Sequence, residues 1–151
     1  MIERHEQDHH DEPRTKVTLI HDHCSFGVLK VESDGITIKI RLLARHVKVL
    51  IALESAMRAD EDLDDEFRGL RSNEQLADAY AHTQGDQLAY DPLAYTPGPQ
   101  AMAAYRAQIH KSLREASPPG SPAVRLTETV RGAGVRLVHR IEIIDLSTRH
   151  T

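Results

Sequence analysis

Residues 26–57 constrain the fold most tightly, because the apolar spacing changes period there without an intervening linker. FGVLKVESDGITIKIRL (26–42) alternates apolar and polar residues on both sides of Ser33-Asp34-Gly35. A period of two is the pattern of a half-buried strand, and an Asp-Gly pair supplies the positive φ angles of a tight hairpin turn. LLARHVKVLIALESAM (42–57) instead carries Leu43, Val47, Leu50 and Ile51 at i, i+4, i+7 and i+8, with Met57 two turns on. That spacing is one face of a helix. Val49 and Leu53 add apolar surface, which predicts a helix buried on more than one side. An antiparallel hairpin running straight into such a helix points to an α+β domain.

The flanking segments extend the pattern. KVTLIHDHC (16–24) reads as a further strand. ADEDLDDEFRG (59–69) has six acids in the seven positions Asp60–Glu66, which predicts a solvated loop or frayed helix end; it lacks calcium-loop spacing. Ser72 with Gln75 three residues on is a capping box, and it opens a short second helix in NEQLADAYA. TQGDQLAYDPLAYTPGP (83–99), with three prolines and two glycines, reads as a long loop, and such loops in compact domains are functional or disordered. A third helix follows at about 100–116. Met102, Tyr105, Ile109 and Leu113 mark its core face; Gln100, Ala103, Arg106, His110, Lys111 and Arg114 mark the other. Ser117-Pro118-Pro119-Gly120 stops it. The last pattern is a strand, VRLTETV, a turn, RGAG, and a returning strand, VRLVHRIEI. One domain over 16–146 is expected, between a disordered His-rich tail (1–15) and a short C-terminal tail (147–151).

Composition narrows the class. With aromatics at 4% and no Trp, Leu, Ile, Val and Ala must fill the core. A single cysteine, Cys24, excludes an internal disulfide framework and suits a reducing cytoplasm. No apolar run is long enough to span a bilayer and the N-terminus lacks a signal-peptide core, so a soluble cytoplasmic protein that does not engage membranes is expected. The net charge of -4 argues against nucleic-acid binding until it is divided by position. Residues 1–97 hold 11 Lys and Arg against 19 Asp and Glu, a net -8; residues 98–151 hold 8 against 4, a net +4. Exposed charges act over about one Debye length, roughly 8–10 Å. The local basic third therefore matters more than the total.

In their order, these pieces resemble the winged helix-turn-helix domain of the OmpR/PhoB response-regulator family. FGVLKVESDGITIKIRLLARHVKVLIALE is similar to the family's N-terminal sheet and first helix, SNEQLADAYA to its second helix, AMAAYRAQIHKSLREA to its recognition helix, and LTETVRGAGVRL to its wing. The likeness covers about residues 26–140. It implies a winged helix-turn-helix with an N-terminal antiparallel β-sheet, three helices and a C-terminal β-hairpin wing over 124–141. Val135 stands where the family usually has an aromatic. The 25 residues before Phe26 are too few for the receiver domain that usually precedes this module, so phosphorylation control is not carried over.

The resemblance implies sequence-specific binding of double-stranded DNA by a transcription regulator. A helix fits the major groove, where each base pair presents its own donor and acceptor pattern. There Arg106 suits guanine and Gln100 or Gln108 suits adenine, with Ala103 on the same face, while His110, Lys111 and Arg114 suit phosphate. At the wing, Arg131 is the expected minor-groove reader, beside Gly132 in the glycine turn. Thr127 and Thr129 are candidate phosphate contacts, and Arg136 a phosphate contact or a structural residue. The simpler alternatives are a solvated basic helix face and a surface hairpin whose arginine pairs with Glu128. The family also implies homodimerisation on repeated half-sites and RNA polymerase contact through loop 83–99. The competing reading is a protein-interaction module acting through acidic segment 60–66 and loop 83–99. His21 and His23, with His5, His9, His10 and Cys24 nearby, match no standard zinc spacing, so no metal is expected. No nucleophile motif or phosphate-binding glycine loop occurs, so neither an enzyme nor a cofactor is expected.

Overall fold

The period switch becomes a strand passing into a helix at a single residue. In the computed structural model, which describes residues 15–22, 26–84, 97–121 and 124–146, β2 (Phe26–Ser33) and β3 (Ile36–Leu43) pair antiparallel, and α1 (Ala44–Ala59) starts on the next residue. Asp34 and Gly35 both take positive φ, 52° and 80°, as an Asp-Gly hairpin requires. Leu43 departs from the expected helical stripe. It belongs to β3, serves as the N-cap of α1 without a side-chain cap bond, and is exposed.

β1 (Lys16–His21) adds to β2 antiparallel, and Val17, Leu19, Leu29, Val31, Ile38, Ile40 and Leu42 from the three strands form one inner face. Against it lies α1, with Val47, Val49, Leu50, Ala52, Leu53 and Ala56 all buried. Burial on several sides follows from its neighbours: α1 packs on the sheet, on α2 (Asn73–Gln84), on α3 (Pro99–Ala116) and on the C-terminal hairpin. Each fully buried leucine, such as Leu50 or Leu53, contributes about 1.5–3 kcal/mol relative to exposure. The capping box closes reciprocally, Gln75 N–H to Ser72 Oγ at 3.1 Å and Ser72 N–H to Gln75 Oε1 at 2.8 Å. The helix it opens runs to Gln84, past the expected end.

The C-terminal region corrects the expected strand pattern. β4 (Thr127–Val130) and β5 (Gly134–Leu137) form a two-stranded antiparallel hairpin, but the returning strand does not continue through residue 143. It breaks at Val138–Arg140, and β6 (Ile141–Asp145) joins the other sheet, parallel to β1, in the order β3-β2-β1-β6. The larger sheet is thus mostly antiparallel with one parallel pair, not the wholly antiparallel sheet expected. Glu54 on α1 meets the chain at the break. Its side chain is 2% exposed and takes the Arg140 guanidinium in a fork, with Nε at 3.1 and 3.0 Å and Nη2 closer still; the Ile141 N–H donates to Oε1 at 2.9 Å. A buried carboxylate requires paired charge and satisfied lone pairs. The chain leaves the hairpin where it can provide both.

A second junction holds the hairpin to the segment before α2. Arg71 and Val135 exchange backbone bonds of 3.0 and 2.8 Å. Gly134 makes this approach possible: its φ is +130°, and a Cβ there would lie 2.4 Å from the Arg71 carbonyl oxygen. Among the described residues, no helix is long and apolar enough to cross a membrane.

The Glu54 junction sets an unequal cost on its two arginines. Arg140→Ala leaves the buried carboxylate without its fork and should destabilise the fold by about 3–5 kcal/mol. Arg58 is exposed and 3.9 Å from the same carboxylate, so Arg58→Ala should cost under about 1 kcal/mol. Urea denaturation of both variants checks the ranking; equal midpoints would contradict it.

Candidate nucleic-acid interface

α3 carries most of the residues that the sequence singled out. Gly98 caps it, Pro99 occupies its first turn, where the missing N–H costs nothing, and extended Ser117 before Pro118 ends it. Met102, Ile109 and Leu113 turn into the core. Tyr105 is half-buried, with its ring 6.1 Å from that of Tyr80 and edge-on to His46 at 5.9 Å. Gln100, Ala103, Ala104, Ala107, Gln108, Lys111 and Arg114 are exposed. Small side chains line the centre of this stripe, and no carboxylate occurs between Pro99 and Arg114.

Arg106 and His110 sit at the margin of that stripe, half-buried and engaged. Arg106 Nη1 donates to Asn73 Oδ1 at 2.8 Å, linking α3 to the first turn of α2. His110 Nε2 accepts the Thr127 N–H at 3.3 Å, linking α3 to β4. Gln108 Oε1 lies 2.7 Å from His46 Nε2 and ties α3 to α1. The four expected base and phosphate readers that remain fully outward on the helix are Gln100, Ala103, Lys111 and Arg114.

On the hairpin, Thr127 is buried and Thr129 is exposed. Arg131, Gly132 and Ala133 form an exposed tip closed by the Ala133 N–H to Val130 carbonyl bond at 2.9 Å. Gly132 has φ 79° and open space around its Cα. Arg136 is held: Nη1 donates to the Asp65 carbonyl at 2.7 Å, Nη2 lies 3.8 Å from Glu128, and the side chain is 17% exposed. Of its two expected roles, this geometry fits the structural one.

The acidic turn after α1 explains where Arg136 goes. Asp60 accepts Arg71 in a fork at 2.7 and 3.1 Å and the Gly69 N–H at 2.9 Å. The Arg71 guanidinium holds the Asp60 carboxyl below its ordinary range, with the Gly69 bond helping. Arg68 donates to the Leu63 carbonyl at 2.8 Å and pairs with Asp65, also at 2.8 Å. As expected of a solvated loop, residues 61–67 are all exposed, and within this turn carboxylates and carbonyls accept arginines. Its apolar residues point out, Leu63 being 47% and Phe67 57% exposed.

Sequence reasoning missed Asn73, Ala104 and Ala107. Completing the helical wheel through Gln100 and Lys111 finds the two alanines; nothing in the local pattern marks Asn73. The expected loop contact falls mostly on 85–96, and His5, His9, His10, His23 and Cys24 were the other metal candidates; all lie outside the described residues. His21 is described and buried. Compared with known proteins, the chain matches no family model, no curated protein and no solved structure.

Three histidines make this region sensitive to acid. Burial is the largest influence on His46, His110 and His139, and it lowers the pKa of each. Arg114 and Arg106 lower His110 further, and Arg45 lowers His46, against a raising contribution from Gln108. The unfolded chain takes up these protons near pH 6.5, before the folded chain does. Their contribution to stability is therefore complete above that pH and is lost as pH falls through about 6.5 toward the depressed folded values. The urea midpoint should be lower at pH 5.5 than at pH 7.5; an unchanged midpoint would remove this account.

Proposed function

We propose that the protein is a sequence-specific double-stranded DNA-binding transcription regulator with a winged helix-turn-helix domain. In this reading α2 and α3 are the helix-turn-helix pair, α3 enters the major groove, and β4–β5 is the wing in the adjacent minor groove. The observation that carries it is the outward stripe of α3 described above, on a helix hydrogen-bonded to a hairpin with Arg131 exposed at a glycine tip. Alanines at the centre of the stripe allow the helix backbone close to base edges. Lys111 and Arg114 at its end suit phosphates. Gln100 suits adenine, and Arg106 can reach a guanine by exchanging its Asn73 bond. Gly132 keeps the tip narrow, as insertion of Arg131 into a minor groove requires. The protein would act in the cytoplasm, and dimerisation and polymerase contact belong to the same proposal only by family likeness.

A second reading, a protein-interaction module, draws support from Leu63 and Phe67. These exposed apolar side chains sit among Asp62, Asp64 and Glu66, a pattern suited to a basic partner. The acidic turn lies after α1 and belongs to neither α3 nor the hairpin tip, so both readings can hold in one molecule.

Selection from a random duplex library separates them. A recovered motif should bind with an affinity that falls steeply with salt, by a log-log slope of roughly -0.9 per phosphate neutralised. Arg131→Ala and Lys111→Ala should weaken binding, each with a shallower salt slope. Arg106→Ala should relax preference at one base pair by about 1–3 kcal/mol. Absence of both an enriched motif and salt-sensitive binding would leave only the interaction module.

A further inference from the structure

His110 stands among the groups expected to touch phosphate, yet its ring has a different use. Nε2 is the acceptor for the Thr127 N–H at 3.3 Å, and Thr127 Oγ1 lies 3.5 Å from the same nitrogen. The remaining ring nitrogen faces back along the helix to the Arg106 backbone. A neutral ring protonated on Nδ1 satisfies both neighbours at once: Nδ1–H donates to the backbone and Nε2 accepts from Thr127. Thr127 is buried, so its N–H has no water to turn to.

The surroundings oppose a charged ring. Arg106 and Arg114 flank it on α3. On β4, Thr127 offers only an N–H and a hydroxyl, and the side chain of Glu128 faces Arg136 on β5. From α1, His46 is bonded to Gln108 and Arg45 lies over the Tyr105 ring. From α2, Asn73 meets Arg106.

We infer that His110 is a positioning residue that clasps the hairpin to α3 only while neutral, so that its protonation loosens the wing and weakens DNA binding. A proton on Nε2 sets an N–H against the Thr127 N–H, donor against donor, and leaves as its acceptor on β4 the Thr127 hydroxyl oxygen, 3.5 Å away at the limit of a hydrogen bond. The ring must turn or β4 must move, and either change releases the Arg131 tip from a fixed position relative to α3. Burial and the two arginines keep the neutral form dominant at neutral pH. This inference rests on the DNA-binding reading for its consequence, but not for the clasp itself.

The sign of the pH effect makes the inference testable. A phosphate-contacting histidine would strengthen DNA binding as it gained charge, whereas a clasp weakens it. Fluorescence anisotropy with the full chain and its selected duplex, at constant ionic strength, should show affinity falling as the pH is lowered from 7.5 to below 6.5, toward a loss of about tenfold once the ring is charged, as expected for loss of one buried hydrogen bond. His110→Gln places an uncharged carbonyl oxygen where Nε2 stood. It should abolish the pH dependence of binding, whereas His110→Ala should bind weakly at both pH values. Wild-type binding that strengthens on acidification, or His110→Gln following the wild-type profile, overturns the inference. Should the protein bind no DNA, NMR of the full chain still decides the clasp. The Thr127 amide should shift in step with the His110 ring titration in the wild type and stay fixed in His110→Gln. A Thr127 amide indifferent to that titration overturns it.

Discussion

The buried carboxylate of Glu54 is the point on which the architecture turns. It lies on the central helix, and its partners Arg140 and the Ile141 N–H lie where the chain leaves the hairpin and enters the larger sheet. An unpaired charge at that depth costs several kcal/mol, which the Arg140 ion pair and the backbone bond from Ile141 offset together. α1 thereby fixes where β5 stops, where β6 begins, and how the hairpin is set against the helices. Replacing such a pair with hydrocarbon can leave stability unchanged in other proteins; here it would also remove the instruction that bends the chain.

Arginines recur at several attachments of the hairpin. Arg136 reaches the acidic turn, Arg71 holds that turn through Asp60 while bonding β5 through its backbone, and Arg140 meets Glu54 and Glu61. The acidic excess of the first two thirds and the basic excess of the last third are therefore partly internal counter-charges. This tempers the inference from the charge division. Arg136 and Arg140 are committed to the fold and Arg106 is half-buried, which among the described residues of the basic third leaves Lys111, Arg114, Arg125 and Arg131 as exposed cations.

What was legible in the sequence follows what local chemistry can encode. The Asp34-Gly35 turn, the Ser72–Gln75 capping box and the core face of α3 were all readable, because spacing and turn stereochemistry set them within a few residues. The break at Val138–Arg140 was not. Val135, Leu137, Ile141 and Ile143 stay in phase across it, so a period-two reading passes through without interruption. Only a carboxylate more than eighty residues away decides the matter. The same limit applies at the site. Helical spacing put Arg106 and His110 on the polar side, but not their partners Asn73 and Thr127, which long-range packing supplies. The acidic block reads as solvated and is exposed, but the bonds it accepts from Arg68 and Arg136 go to turn carbonyls, whose direction no side-chain pattern reveals.

The parallel pairing of β1 with β6 carries a consequence for how the molecule is assembled. Val17 lies beside Ile141, so the sheet is completed by contacts that span nearly the whole domain in sequence. Closing so long a loop costs entropy before any contact repays it, and contacts of this kind slow folding. The β2–β3 hairpin and α1 are local and can form early. The last strand docks beside the Arg140–Glu54 pair and completes the sheet. During synthesis the β4–β5 hairpin is therefore complete in sequence before its anchor emerges, and it acquires its final orientation only as the domain closes.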